Sequence, residues 1–148
     1  MAVSDQISVV TDAFEHRTVG PHFINPCCFG EDFASWLLSR LAPLRAGDFT
    51  LSEPIQEDYG WGLWARKGQD GFWIALSYCG DGPQEEPAEW VVSVTYDSGL
   101  NLIKRLFHKP DVQAFSQVRD AVWQAINSNR NIRSPRSRAL VARLSLSL

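Results

Sequence analysis

The chain has 148 residues, 45% of them apolar and 21% charged, a composition that excludes disordered, collagen-like and disulfide-scaffold classes. At this length folding hides roughly 68–70% of the surface of the extended chain, enough for one sizeable core. The net charge of −3 is uneven: residues 1–127 hold all 17 acids and nine of the 14 bases, a net −8, whereas residues 128–148 hold five arginines and no acid.

No apolar run reaches the roughly 18 residues of a membrane span. The N-terminal stretch lacks a basic region and carries Asp5, Asp12 and Glu15, so no secretory signal is expected. Three cysteines, Cys27, Cys28 and Cys79, then point to reduced thiols and a cytoplasmic location.

Along the chain, residues 1–21 are weakly patterned, and Ile7, Val9, Val10 and Phe14 suit a short strand or half a helix equally. The segment HFINPCCFG (22–30) reads as an ordered loop, with Pro26 opposing helix and Gly30 closing it. Residues 31–41 predict a helix: Phe33, Trp36, Leu37 and Leu41 share one face, and Glu31 and Asp32 suit the positive end of the helix dipole. Pro43 is expected to stop it. Strands are predicted at 49–53, 61–67, 72–79 and 89–96, with turns at KGQDG (67–71) and GDGPQEEPA (80–88). The 72–79 run is apolar on both faces, which fits a central strand. In the last strand Trp90, Val92, Val94 and Tyr96 alternate against Val91, Ser93 and Thr95. DSG (97–99) is a turn, and 100–107 suits a fifth strand or a helical turn.

Residues 110–127 predict a second helix, with Pro110 at its first position, Asp111 in its first turn, and a stripe of Phe115, Val118, Val122 and Ile126. The resulting fold class is α+β: an antiparallel sheet of four to five strands in a meander, packed against two helices in two layers. A single domain spans 1–127, best supported over 22–107. The tail at 128–148 is basic, either disordered or folded back onto the acidic body.

Glu57-Asp58-Tyr59-Gly60-Trp61 is the most suggestive stretch. It sets two carboxylates and two aromatics beside a permissive glycine, a combination suited to anchoring a basic partner. The structural alternative makes Asp58 a turn residue, Gly60 the holder of an unusual backbone angle and Trp61 a core residue. Adjacent carboxylates on a strand face opposite ways, which opposes a shared acid–base site. Glu85 and Glu86 extend the acidic candidate surface, so the candidate binding residues are Glu57, Asp58, Tyr59, Trp61, Glu85 and Glu86.

Cys27 and Cys28 precede a helix N-terminus, where a thiol can be activated. Glu31 and Asp32 oppose a thiolate there, and buried, inert cysteines are the better reading. His22, Cys27, Cys28 and Cys79 match no zinc spacing. Phosphate-loop, dinucleotide, esterase, zinc-protease and EF-hand motifs do not occur. Neither metal nor cofactor is expected, and no catalytic residue is assigned. Arg130, Arg133, Arg136, Arg138 and Arg143 lack interleaved aromatics, which supports non-specific phosphate contact at most.

The run HFINPCCFGEDFASWLLSRL followed by EPIQEDYGWGLW resembles a family of small bacterial proteins of uncharacterised function. The residues that carry the resemblance are Phe29, Gly30, Glu31, Asp32, Trp36, Leu37, Glu53, Pro54, Glu57, Asp58, Tyr59, Gly60 and Trp61. It covers about residues 22–107 and implies no activity.

The first expectation is therefore a non-enzymatic binding module for a basic protein, of which an immunity-type protein is one form. The second is a small enzyme or ligand-binding protein with a site between the sheet and the 22–30 loop, using His22, Cys28, Glu57 and Asp58. The third is a homodimer through a sheet edge or the apolar C-terminal segment.

Overall fold

The computed structural model describes residues 3–97 and 106–134. The expected turn at 97–99 beyond Asp97, most of the 100–107 segment, and residues 135–148 of the basic tail lie outside the described residues. Ten elements follow in order: β1 (Ser4–Thr11), α1 (Glu31–Ser39), α2 (Ala42–Ala46), β2 (Thr50–Leu51), β3 (Ile55–Glu57), β4 (Gly60–Lys67), β5 (Asp70–Tyr78), β6 (Ala88–Asp97), α3 (Val112–Asn127) and β7 (Ile132–Arg133).

The α+β class with an antiparallel sheet holds. The sheet has seven strands rather than four or five, in the order β2-β4-β5-β6-β1-β7, with β3 also on β4. β3, β4, β5 and β6 form the expected meander, and β1 and β7 extend the sheet beyond β6. The weakly patterned N-terminus supplies β1, which pairs with β6 from Ser4↔Thr95 to Thr11↔Ala88. Residues Ile132 and Arg133, at the start of the basic segment, pair with Thr11 and Val10.

Three helices, not two, are described. Helix α1 stops at Ser39, and Pro43 lies in the first turn of α2, where its missing N–H costs nothing. Asp111 is the N-cap of α3, accepting the Ala114 amide at 3.0 Å, so Pro110 stands outside the helix.

Strand parity sorts the side chains into two faces. Leu63, Phe72, Ile74, Leu76, Trp90, Val92 and Val94 point inward and are buried with Phe33, Leu37 and Leu41 and with the α3 stripe of Phe115, Val118, Val122 and Ile126. Each large apolar side chain so buried contributes about 1.5–3 kcal/mol. Phe14 stacks on Phe33 at 4.1 Å between ring centroids, and Phe33 meets Trp90 edge-on at 5.4 Å. The opposite face presents Ser4, Gln6 and Ser8 of β1, Ser93 and Thr95 of β6, Ala75 and Trp73 of β5, and Gly62 and Trp64 of β4. The interior is assembled on the other side of the sheet.

The β2–β3 edge is one strand interrupted at Ser52-Glu53-Pro54. Ser52 bridges the gap: its amide donates to the Trp64 carbonyl at 3.0 Å and its Oγ accepts the Trp64 amide at 2.8 Å. Short strands and a proline make this edge a poor template for further pairing.

Candidate functional site

The β3–β4 hairpin turns at Asp58 and Tyr59, with Glu57 opposite Gly60. Gly60 has φ +149°, and a Cβ there would lie 2.2 Å from the Leu76 carbonyl oxygen. Only glycine meets both conditions.

The 22–30 loop is laced to this hairpin through backbone groups. The Ile24 amide donates to Gln56 Oε1 at 2.8 Å, and Gln56 Nε2 donates to the His22 carbonyl at 3.0 Å. Asn25 Nδ2 donates to the Asp58 carbonyl at 2.7 Å. The Cys28 thiol is within reach of the Glu57 and Gly60 carbonyls, at 3.3 and 3.6 Å, and the Trp61 indole N–H donates to the Cys28 carbonyl at 2.9 Å. Burial pushes the Cys28 thiol above its usual pKa range, and the Asp58 charge adds to this. A fully buried thiol aimed at carbonyls is a packing group, not an activated nucleophile. His22 is committed to Glu31, Nε2 to Oε2 at 2.8 Å.

On the outer face, Trp64 and Trp73 are directly cross-strand neighbours, with ring centroids 4.9 Å apart at 54°. The Trp73 ring lies across Gly62, where a Cβ would fall 2.3 Å from Trp73 Cζ2. Its indole N–H donates to the Tyr59 hydroxyl at 2.7 Å, which joins the hairpin turn to the sheet face. Arg66 covers Trp64, its guanidinium carbon 4.4 Å from the ring centroid. Tyr59, Trp64 and Trp73 bound a cleft of about 330 Å³ whose lining also includes Glu57, Thr95, Tyr96 and Asp97. Burial raises the Tyr59 phenol above its usual pKa range; the Trp73 hydrogen bond pulls it down and the Glu57 charge adds to the rise.

Of the six sequence-derived candidates, Glu57 and Tyr59 line this cleft. Trp61 is a buried residue of the inner face, and Asp58 serves through its carbonyl as part of the loop clamp. Glu85 and Glu86 lie in the β5–β6 loop and face the 12–18 segment instead. Arg17 Nε is 3.6 Å from the Glu85 carboxylate, and the Glu86 carbonyl is 3.0 Å from His16 Nε2. Trp64, Trp73, Arg66 and Gly62 were absent from the candidates, although parity in the 61–67 and 72–79 runs places both tryptophans opposite Leu63 and Ile74.

The chain matches no family model, no curated protein and no solved structure. No helix among the described residues is long and apolar enough to cross a membrane.

Proposed function

We propose that the chain is a non-enzymatic protein-binding module that receives a basic partner on the outer face of its sheet, with the aromatic cleft as anchor. The observation that carries this reading is the Tyr59–Trp73–Trp64 group, fixed by a hydrogen bond and by Gly62, half-exposed beside Glu57. Aromatic anchors in a shaped recess are the usual centre of interface energy. The net −8 of residues 1–127 favours fast encounter with a basic target. An immunity-type protein covering a basic enzyme is one concrete form. The resemblance of residues 22–107 to a small bacterial family adds no activity to this reading.

The test is capture by the tagged full chain at low salt, beside a Trp73→Ala/Glu57→Gln variant. A basic protein retained by the wild type is expected to bind the variant at least about tenfold more weakly, the loss of roughly one hot-spot contact. A partner retained equally by both would place the contact elsewhere and sink the reading.

One observation favours a homodimer as a second reading. On its outer edge β1 pairs with β7 only at Val10 and Thr11, which leaves Ser4–Val9 without a strand neighbour among the described residues. Such an edge suits pairing with a second copy. Sedimentation equilibrium is expected to show a concentration-dependent rise in mass; a monomer throughout a concentration series dismisses this reading.

A further inference from the structure

Resting on the binding-face reading above, we propose that the aromatic cleft takes the guanidinium of an arginine side chain from the partner, and that Arg66 is an internal competitor for the same aromatic surface.

The chain itself supplies the first argument. The guanidinium of Arg66 lies over Trp64 at 4.4 Å, inside the distance at which a cation is held by a ring face. No carboxylate among the described residues forms an ion pair with Arg66, so the ring is its identified partner. Gly71, the cross-strand neighbour of Arg66, lies beside it, where a Cβ would stand in ordinary contact at 3.4 Å from Arg66 Nη1. This surface therefore already accommodates a planar cation.

The second argument is the chemistry of the surroundings. Trp73 stands beside Trp64 at 4.9 Å and 54°, its orientation held by Tyr59. Two tilted indoles offer a second ring face to an incoming cation. Glu57 lines the same cleft and forms no ion pair among the described residues, so its carboxylate is available to a forked donor. A guanidinium is planar, weakly hydrated and forked; an ammonium is a strongly hydrated point charge. The observed stacking of Arg66 favours the former.

Competition arises at the Trp64 face that Arg66 covers, whereas Trp73 carries no cation of the chain's own among the described residues. When Arg66 occupies the Trp64 face, the fraction of molecules ready for a partner arginine falls, and the apparent affinity falls with it. Arg66 then sets the threshold for the incoming cation rather than providing a contact to it.

The experiment follows the indole N–H signals of the ¹⁵N-labelled full chain during titration with an end-blocked Gly-Gly-Arg-Gly-Gly peptide. Citrulline and lysine versions serve as controls. The arginine peptide is expected to shift the Trp64 and Trp73 signals saturably. Lysine should bind several-fold more weakly, and citrulline, which has the shape without the charge, should leave both signals in place. Glu57→Gln, an exposed change without risk to the core, is expected to weaken binding about tenfold, and Trp64→Ala to abolish it. Arg66→Gln is expected to strengthen it about threefold.

Equal binding of citrulline or lysine overturns the proposal, as does indifference to both Glu57→Gln and Trp64→Ala. Weaker binding by Arg66→Gln overturns the competitor role. If the peptide fails to bind while a basic partner still needs Trp73, this inference falls and the binding-face reading stands. If the peptide binds while partner capture is indifferent to the cleft, the reverse holds.

Discussion

Gly60→Ala is expected to destabilise the protein by about 3 kcal/mol or more, the sum of a forbidden backbone angle and an overpacked contact. The added Cβ would meet the Leu76 carbonyl oxygen at 2.2 Å and its carbon at 3.3 Å. Both are backbone atoms of the central strand β5, so no rotamer change relieves the clash. The φ of +149° adds strain of its own. Relief requires β4 to part from β5 where Trp61 pairs with Leu76. That movement carries away the Gly60, Glu57 and Asp58 carbonyls on which the 22–30 loop is fastened. The variant should therefore lose both the loop clamp and the seat of Tyr59 beneath Trp73.

Denaturant midpoints across a glycine series give the check. Gly62→Ala should come next, because its Cβ meets the Trp73 ring at 2.3 Å and the Ile74 carbonyl oxygen at 2.7 Å. Gly68 has φ +59° with nothing near the added Cβ, so alanine there pays about 1 kcal/mol of backbone cost alone. Gly82 meets nothing within 4 Å and has an ordinary φ, so Gly82→Ala should be close to neutral. A Gly60→Ala variant as stable as Gly82→Ala would show that the hairpin does not hold β4 against β5 as described.

Much of this frame is legible in the sequence where one physical signal dominates. Helix α3 reads clearly because Phe115, Val118, Val122 and Ile126 recur on one face and all are buried. Strand β6 reads equally well, since Trp90, Val92 and Val94 alternate with Glu89, Val91, Ser93 and Thr95, only one of which is apolar. Gly60 and Trp61 also fall where the structural alternative puts them, as a strained turn residue and a core residue. Strand β1 is obscure because Ser4, Gln6 and Ser8 on the open face dilute a buried set that is only partly apolar. The short edge strands β2 and β3 are two and three residues long, below what any periodicity can display.

The cleft is obscure for a different reason. A run such as FWIALSYC, apolar on both faces, fits a strand covered on both sides. Here no helix among the described residues covers one of those faces, and Trp73 on it is half-buried and lines the cleft. The hairpin register pairs Lys67 with Asp70 across Gly68 and Gln69, and so sets Trp64 opposite Trp73. That pairing follows from the turn position, but the exposure of the pair depends on which face the helices choose. Charge alone does not reveal which acids share a surface: Glu57 lines the cleft, Glu85 stands by Arg17, and Glu86 sets its carbonyl against His16.

His16→Ala is expected to cost about 3–5 kcal/mol, combining a buried cavity with stranded acceptors. His16 is fully buried, which is unusual for a lone histidine. Its Nδ1 lies 2.9 Å from the Phe14 carbonyl, and its Nε2 lies 3.0 Å from the Glu86 carbonyl and 3.2 Å from an Asp12 carboxylate oxygen. All three partners are acceptors. A ring N–H is the donor such acceptors need, and removing the ring takes it away. The ring thus links the loop after β1 to the loop between β5 and β6, with Arg17 bound to Asp12 and the Glu85 carbonyl beside it.

Two further variants separate the contributions. His16→Phe refills the space without donors, and His16→Asn restores an N–H donor group without the volume. If the stranded carbonyls dominate, Phe should be as damaging as Ala; if the cavity dominates, Phe should recover most of the loss. Because Phe14 is stacked on Phe33 of α1, loss of the link should also loosen the packing at the start of that helix. Amide hydrogen exchange around residues 12–18 and 80–87 should then rise together, ahead of β5 and β6. A His16→Ala protein within about 1 kcal/mol of the wild type, with unchanged exchange in both loops, would mean that the ring is a passive filler and that the two loops are held by Arg17 and by the Gln84 amide on the His16 carbonyl.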